Sequence, residues 1–246
     1  MHTGYNHQTV DERAQQYLAL VDARKACRFC SNSGLINASV IRDGEIDSAH
    51  IGPWSGWLGD LHARVMVIGQ DWGDQRAFEN QAGRNWSDSA TNRMLIQLMA
   101  HAGIVVPEGP GEPSGVFLTN AVLCFRTDDG CQGSGKTEWF QNCGPRFLRP
   151  QIELVKPQVV VCLGRRAYAA VLSAYELPPV QDWRAAVEGS GIALAGGPIA
   201  FAVYHCSQVS LNINRKEAEQ VNDWKRLGAA LARMSNDLVR PQRGSE

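Results

Sequence analysis

The sequence predicts an α/β protein, a three-layer α/β/α sandwich around a short, mainly parallel sheet of four strands. Four apolar runs rich in valine and isoleucine carry this prediction, at residues 64–69, 115–123, 158–164 and 199–205. Their hydrophobicity is continuous rather than alternating, which is typical of strands buried on both faces. Helical patterns separate the runs, and strands that alternate with helices indicate a parallel sheet.

Helical periodicity fills most of the sequence between and after these runs. The predicted helices span residues 91–102, 145–155, 165–175 and 215–234. The first has one apolar face behind a threonine cap, formed by Met94, Leu95, Leu98 and Met99. In the second, Pro150 predicts a break or restart. The stretches 104–114 and 176–198 are predicted to be loops.

Length and composition favour one domain over residues 1–246, because 246 residues with 44% hydrophobic content can form one large core and nothing resembles a linker. No window approaches about eighteen uninterrupted apolar residues, and the first residues do not resemble a signal peptide. We therefore expect a cytoplasmic protein without a membrane segment. Seven cysteines, an odd number, favour reduced thiols or metal ligation over a disulfide framework.

A net charge of -1 gives no overall sign of nucleic-acid binding, so any such surface must be a local patch. The second half of the chain could supply one from Arg146, Arg149, Lys156, Arg165, Arg166, Arg215, Lys216, Lys225 and Arg226.

Four cysteines indicate a metal centre. Cys27 and Cys30 form a CxxC pair, and Cys124 and Cys143 are widely separated single residues. An iron-sulfur cluster tolerates such irregular spacing, whereas structural zinc usually takes two close pairs. Zinc, a redox dithiol and a chance pair remain alternatives.

The other three cysteines receive different interpretations. Cys131 lies in a glycine-rich loop and is a substitute ligand candidate, whereas Cys162 lies in the apolar run VVVCLG and is predicted to be a small buried side chain. Cys206 follows a histidine at the end of the last strand.

Polar side chains follow the predicted strands. Asp71 comes after the first strand in GQDWG, Asn120 lies in the second in TNAVLC, and His205 ends the fourth in YHCSQVS. Ligands of parallel sheets bind outside the carboxyl ends of the strands. We therefore expect Asp71, Asn120 and His205 to meet at one edge.

These segments resemble the uracil-DNA glycosylase superfamily, most closely its iron-sulfur branch. VMVIGQDWG, TNAVLCFR and YHCSQVS are similar to the family's water-holding, base-reading and histidine segments. The stretch CGPRFLRPQIELVKPQVVVCLGRRAYAAVL, within residues 143–172, is the most specific. The likeness covers roughly residues 25–230.

The resemblance implies a DNA glycosylase of base excision repair that flips uracil, or a related deaminated base, out of DNA and hydrolyses its N-glycosidic bond. Asp71 would position or activate the water, and Asn120 would read the base edge. His205 would stabilise charge on the departing base. Trp86 would stack on the base, and Gln70 would contribute to the same pocket.

The resemblance also implies a four-iron, four-sulfur cluster held by Cys27, Cys30, Cys124 and Cys143. The segment 207–216, SQVSLNINRK, would approach the DNA from Ser207 onward. Val209 or Leu211 would act as an apolar wedge, and Arg215 would contact phosphate. We expect a monomer whose partner is DNA.

Two positions depart from the family pattern, with Trp72 and Cys206 where prolines are usual. This keeps a second reading open, in which the chain is a catalytically silent DNA-binding or damage-recognition module. A third reading, an electron-transfer or redox-sensing protein, accounts for the cysteines but leaves Asp71, Asn120, Trp86 and His205 without explanation.

Overall fold

The computed structural model describes residues 10–80, 89–107, 114–127 and 135–239. The strands are β1 (Leu35–Ile36), β2 (Val65–Gly69), β3 (Val116–Asn120), β4 (Phe125–Arg126), β5 (Val159–Leu163), β6 (Ile192–Ala193) and β7 (Ile199–Val203). The α-helices are α1 (Val10–Ala26), α2 (Gln75–Asn80), α3 (Ala90–His101), α4 (Thr137–Cys143), α5 (Arg149–Val155), α6 (Arg165–Ala174), α7 (Trp183–Glu188), α8 (Gln208–Ile213) and α9 (Glu217–Val239).

The central sheet has the strand order β3-β2-β5-β7-β6. The first four of these strands are parallel, and β6 pairs antiparallel with β7. This confirms the predicted α/β fold with a mainly parallel sheet, but the predicted number of four strands is wrong because β6 adds a fifth. The two residues of β6 are both exposed, so no buried apolar run marked them in the sequence.

Side chains alternate between the two faces of the sheet and form two cores. Met66 and Ile68 of β2 pack into the core that also contains residues of α1, α4, α5 and α6. Val65 and Val67 pack into the core beneath α3 and α9. Every residue of β2, β3 and β5 is buried, which explains their continuous hydrophobicity.

The helices predicted at 91–102, 165–175 and 215–234 correspond to α3, α6 and α9. The segment predicted to break or restart near Pro150 is helical before and after this residue. A π-helix at Gly144–Leu148 joins α4 to α5, which begins at Arg149. Pro150 is the second residue of α5, in the first turn, where proline is tolerated. The predicted loop at 176–198 contains α7 and β6. None of the helices in the described ranges is both long and apolar enough to cross a membrane.

An N-terminal layer covers one side of the sheet. The short strands β1 and β4 form a separate antiparallel pair, and Arg24 of α1 forms a buried ion pair with Asp47 at 2.6 Å. Arg24 also donates to the carbonyl oxygens of Ser48 and His50, at 3.0 and 2.8 Å. This layer therefore fixes residues 47–50 against α1.

Candidate active site and cysteine cavity

Asp71 follows β2, and its carboxylate forms a buried ion pair with Arg126. Oδ2 accepts from Nε of Arg126 at 3.0 Å, from a terminal guanidinium nitrogen at 2.6 Å and from Nε2 of Gln70 at 2.9 Å. Oδ1 accepts the backbone N–H of Gly73 at 3.0 Å. The Arg126 and Asp71 side chains are only 2% and 7% exposed. A carboxylate has about four acceptor positions, so Oδ1 retains capacity for another donor while Oδ2 is saturated.

Asn120 ends β3 directly beside Gly69 of β2. Its Nδ2 donates to the backbone oxygen of Asp71 at 2.9 Å, which fixes the orientation of the amide. Its Oδ1 is buried and has no hydrogen-bond partner within the described residues. An unpaired buried acceptor is costly, and such an atom is a common feature of a ligand site. The amide therefore presents an acceptor, and its second N–H, for a ligand.

His205 follows β7, and its ring is held in one tautomer. The backbone N–H of Ser207 donates to Nδ1 of His205 at 3.2 Å, so the neutral ring carries its proton on Nε2. Burial lowers the pKa of His205, and the negative charge of Asp71 partly opposes this shift. The ring is thus neutral at pH 7 and has Nε2–H as its donor.

A cleft of about 580 Å³ opens at this edge of the sheet. Its lining includes Gln70, Arg165, His205, Ser207 and Val209. Asp71 and Asn120 do not line the cleft itself, but Asp71 is bonded to Gln70 and Asn120 is bonded to Asp71. The structure therefore brings the residues predicted for catalysis to one edge of the sheet. Trp86 lies outside the described residues.

The segment predicted to approach DNA contains α8, and its residues differ in exposure. Val209 is 65% exposed, whereas Leu211 is buried at 7%. Of the two predicted wedge residues, Val209 is therefore at the surface and Leu211 is not.

The structure turns Arg215, the predicted phosphate contact, toward carboxylates. Its guanidinium donates to both oxygens of Asp223, at 3.0 and 2.8 Å, and the side chains are 8% and 1% exposed. Glu188 and Glu219 lie 3.4 and 3.5 Å from the same guanidinium. Three carboxylates therefore surround this arginine, and it belongs to the packing of α9.

The two residues at the usual proline positions do not fill the cleft. Trp72 is 4% exposed and packs on Phe125, with the two ring centroids 5.1 Å apart. Cys206 is 1% exposed and belongs to the core beneath α3 and α9. Both side chains point into the protein, and neither lines the cleft.

Four cysteines line a separate cavity of about 270 Å³: Cys27, Cys30, Cys124 and Cys143. Burial, together with the nearby Cys30 and Cys27, raises the pKa of the Cys143 thiol to about 12. Burial likewise raises the pKa of Cys124, and the other three cysteines add to the shift. The four sulfur atoms are therefore close enough to repel one another as thiolates.

The remaining cysteines lie elsewhere. Cys162 is fully buried in β5, as predicted, and Cys206 lies in the opposite core. Cys131 is outside the described residues. Within the described residues, no group of three or more His, Cys, Asp and Glu side chains has the spacing to hold a single metal ion.

Sequence reasoning missed two residues of this region, Arg126 and Gln220. Gln220 on α9 is 1% exposed, and its Nε2 donates to the carbonyl oxygens of His205 and Arg215, at 3.2 and 3.3 Å. It thereby fixes the backbone on both sides of α8. Arg126 lies two residues after Cys124, which was the only signal that could have drawn attention to it.

The polar groups of this site lie at the carboxyl ends of parallel strands, and a cysteine cavity lies beside them. The protein is therefore of the α/β class that binds its ligand at the edge of the sheet. Residues 57–228 match the model of the uracil DNA glycosylase superfamily, and the chain belongs to this superfamily. The predicted membership and the predicted class, a hydrolase of the uracil-DNA glycosylase type, are thus confirmed.

Curated relatives agree with this assignment. The chain is 29% identical over 189 residues to the type-5 uracil-DNA glycosylase of Pyrobaculum aerophilum, covering 72% of this chain and 78% of the relative. It is 23% identical over 172 residues to the type-4 enzyme of Archaeoglobus fulgidus, covering 70% and 78%. It is 25% identical over 154 residues to the type-4 enzyme of Thermotoga maritima, covering 63% of this chain and 70% of the relative. Types 4 and 5 are the branch to which the sequence resemblance pointed.

Proposed function

We propose that this chain hydrolyses the N-glycosidic bond of uracil, or of a related deaminated base, in DNA as a step of base excision repair. A base inside a duplex cannot be reached, so it would be flipped out and inserted at this edge of the sheet, between the lining of the cleft and Asn120, at a cost of roughly a few kcal/mol. The family assignment and three curated relatives named uracil-DNA glycosylases support this activity. We further propose that the chain acts as a monomer and as one domain.

The observation that carries the proposal is the amide of Asn120. Its Oδ1 is buried without a partner in the described part of the chain, while Nδ2 is anchored on Asp71 and keeps one N–H. An acceptor beside a donor matches the adjacent N3–H and O4 of uracil. Cytosine presents the opposite pattern at those atoms, so buried polar groups would be left unpaired. Asn120 would therefore select uracil over cytosine.

Asp71 would hold the attacking water. Three donors already occupy Oδ2, so the water would bind Oδ1, which accepts only the N–H of Gly73. Because Arg126 compensates most of the carboxylate charge, we assign Asp71 mainly to orienting the water and less to opposing the sugar cation. Gln70 would help to hold the same carboxylate.

His205 would stabilise negative charge on the departing base. Its Nε2–H can donate to O2 as that oxygen gains charge, and the lowered pKa keeps the ring neutral for this role. Ser207 and Val209, which line the same cleft, would contact DNA. Trp86 remains a proposed stacking residue.

The four cysteines that line the cavity would hold a four-iron, four-sulfur cluster. Four cysteines around one cavity of about 270 Å³ match the four-thiolate ligation of such a cluster. Bound there, the cluster would cross-link the N-terminal layer to β4 and α4, and it would supply no electrons to a hydrolysis. Its proposed contribution is therefore structural.

The test is a panel of oligonucleotides that contain uracil, hypoxanthine, xanthine, mismatched thymine or undamaged bases, assayed for abasic sites. We expect abasic sites on the uracil strand, and a loss of uracil selectivity in Asn120→Asp, whose ionised acceptor cannot donate to O4. Asn92→Ala, which removes a buried asparagine on α3, is the control and should keep the selectivity. Binding without cleavage of any base in single-turnover assays would instead favour the catalytically silent module.

A further inference from the structure

The residues between Cys124 and Arg126 connect the cysteine cavity to the loop of Asp71. Cys124 lines the cavity, and the next two residues form β4. β4 pairs with β1, which follows the CxxC pair along the chain. The backbone N–H of Arg126 donates to the carbonyl oxygen of Gly73 at 2.8 Å. The Asp71 loop is therefore bonded to a segment whose other end is a cavity cysteine.

The Arg126 side chain makes a second connection between the same two regions. Its guanidinium contacts Oδ2 of Asp71 through two nitrogens and lies 5.6 Å from the ring centroid of Trp139. Trp139 is 3% exposed and belongs to α4, the helix that ends at Cys143. Thus β4, which directly follows Cys124, and α4, which ends at Cys143, hold this guanidinium against the aspartate.

We propose that Arg126 is a positioning residue for Asp71, and that it makes the orientation of the Asp71 carboxylate depend on a filled cysteine centre. This inference deepens the proposed function and rests on it for its effect on catalysis. Two nitrogens of the planar guanidinium donate to Oδ2 and fix the place of that oxygen, and the Gly73 N–H on Oδ1 then sets the angle of the carboxylate. Without a group that binds the four thiols, the segments of Cys124 and Cys143 lose one of their links to the CxxC pair, and β4 and α4 can separate more easily.

The kinetic test is a double-mutant cycle on the iron-loaded protein. Misplacing a reactive group by about 1 Å can cost roughly 10²-fold in rate, so we expect Arg126→Gln to lower kcat by about that factor. In an Asp71→Asn background the same change should cost nearly nothing, because the residue through which it acts is already altered. Arg126→Lys keeps the charge without the planar fork and should give an intermediate kcat, which also covers the case that Arg126→Gln does not fold.

The matched control is Arg64→Gln, since Arg64 is exposed and also donates through two nitrogens to one oxygen, Oε1 of Gln158, at 3.3 and 3.0 Å. It should leave kcat unchanged. Equal losses for Arg126→Gln with and without Asp71 would overturn the proposal, and so would unchanged kcat in both Arg126 variants.

A second measurement does not depend on activity. Hydrogen exchange of a peptide that covers residues 70–76 should rise in Arg126→Lys at unchanged iron content, and in the wild type after iron is removed with a chelator. A peptide from α9 should not change in either case. Unchanged exchange at 70–76 after iron removal would overturn the dependence on the cysteine centre. If the wild type cleaves no oligonucleotide, the proposed function fails, whereas the exchange experiment still decides whether Arg126 holds this loop.

Discussion

A Cβ atom on Gly69 would clash with Nδ2 of Asn120. The amide of Asn120 therefore lies across a glycine that cannot be replaced without moving it. Gly69 ends β2, and Asn120 is its partner in β3.

Gly69→Ala should displace the Asn120 amide. We expect uracil excision to fall by roughly 10², while overpacking costs about 1–3 kcal/mol of unfolding free energy. Single-turnover excision and urea unfolding measure the two effects. Gly144→Ala is the control, because its Cβ would be 3.6 Å from Cβ of Ala174, an ordinary contact. Full excision by Gly69→Ala would contradict this account of Asn120.

Val209→Ala should impair excision from duplex DNA more than from single strands, because an exposed apolar side chain at the cleft can fill the gap left by a flipped base. Ile213 on the same helix is 76% exposed but does not line the cleft, which makes Ile213→Ala the control. The ratio of duplex to single-strand excision rates is the measurement. Equal ratios in both variants would remove Val209 from the proposed DNA surface.

Arg215→Ala should destabilise the protein rather than weaken DNA binding through a phosphate. Breaking a buried ion pair costs about 3–5 kcal/mol, and we expect the lower end because Arg226 also contacts Asp223. The exposed neighbour Lys216→Ala should change stability by less than about 0.5 kcal/mol. Urea unfolding of both variants checks this. A stable Arg215→Ala protein whose DNA affinity depends less on salt would restore the phosphate role.

The lowered pKa of His205 predicts a pH dependence of stability. The native ring binds its proton at lower pH than the unfolded chain does, so the unfolded state binds more protons as pH falls below about 6.5. The contribution of neutral His205 to the free energy of unfolding is therefore complete above that pH and is lost on acidification. His205→Gln lacks this component, so the difference in unfolding free energy between the two proteins should change between pH 7 and pH 5. Parallel curves would show that His205 titrates normally.

Anaerobically purified protein should be brown and contain iron and acid-labile sulfide in equal amounts. Substitution by serine of any one of the four cavity cysteines should make the protein lose colour and solubility together: Cys27, Cys30, Cys124 or Cys143. Cys162→Ala and Cys206→Ala should keep the colour, because both cysteines lie outside the cavity. Colourless protein with stoichiometric zinc would be the contrary result.

The sequence predicted the buried parallel strands well because their apolar runs need no knowledge of the rest of the fold. Strand β6 was not predicted because it consists of two exposed residues, which form a strand only by pairing with β7. Helix α7 was not predicted for a related reason, since it is only six residues long and buries one residue, Val187.

The candidate site was predictable only where the residue type and its place after a strand coincided, as for Asp71, Asn120 and His205. Ion pairs were not predictable. Nothing in the sequence indicated that Asp71 meets Arg126, 55 residues later, or that Arg215 turns inward to Asp223. Such pairs depend on the distance between elements in space, which periodicity does not give.

The ring of Trp72 packs against residues that precede the region shared with the superfamily. The matched region begins at residue 57, yet the Trp72 ring has Gly52 against it and the guanidinium of Arg24 5.4 Å from its centroid. A fragment cut to the matched region would expose one side of this ring to water, directly beside Asp71. The residues ahead of the shared region thus support the loop of Asp71, and we expect a shortened protein to lose the shape of this loop before it loses the sheet.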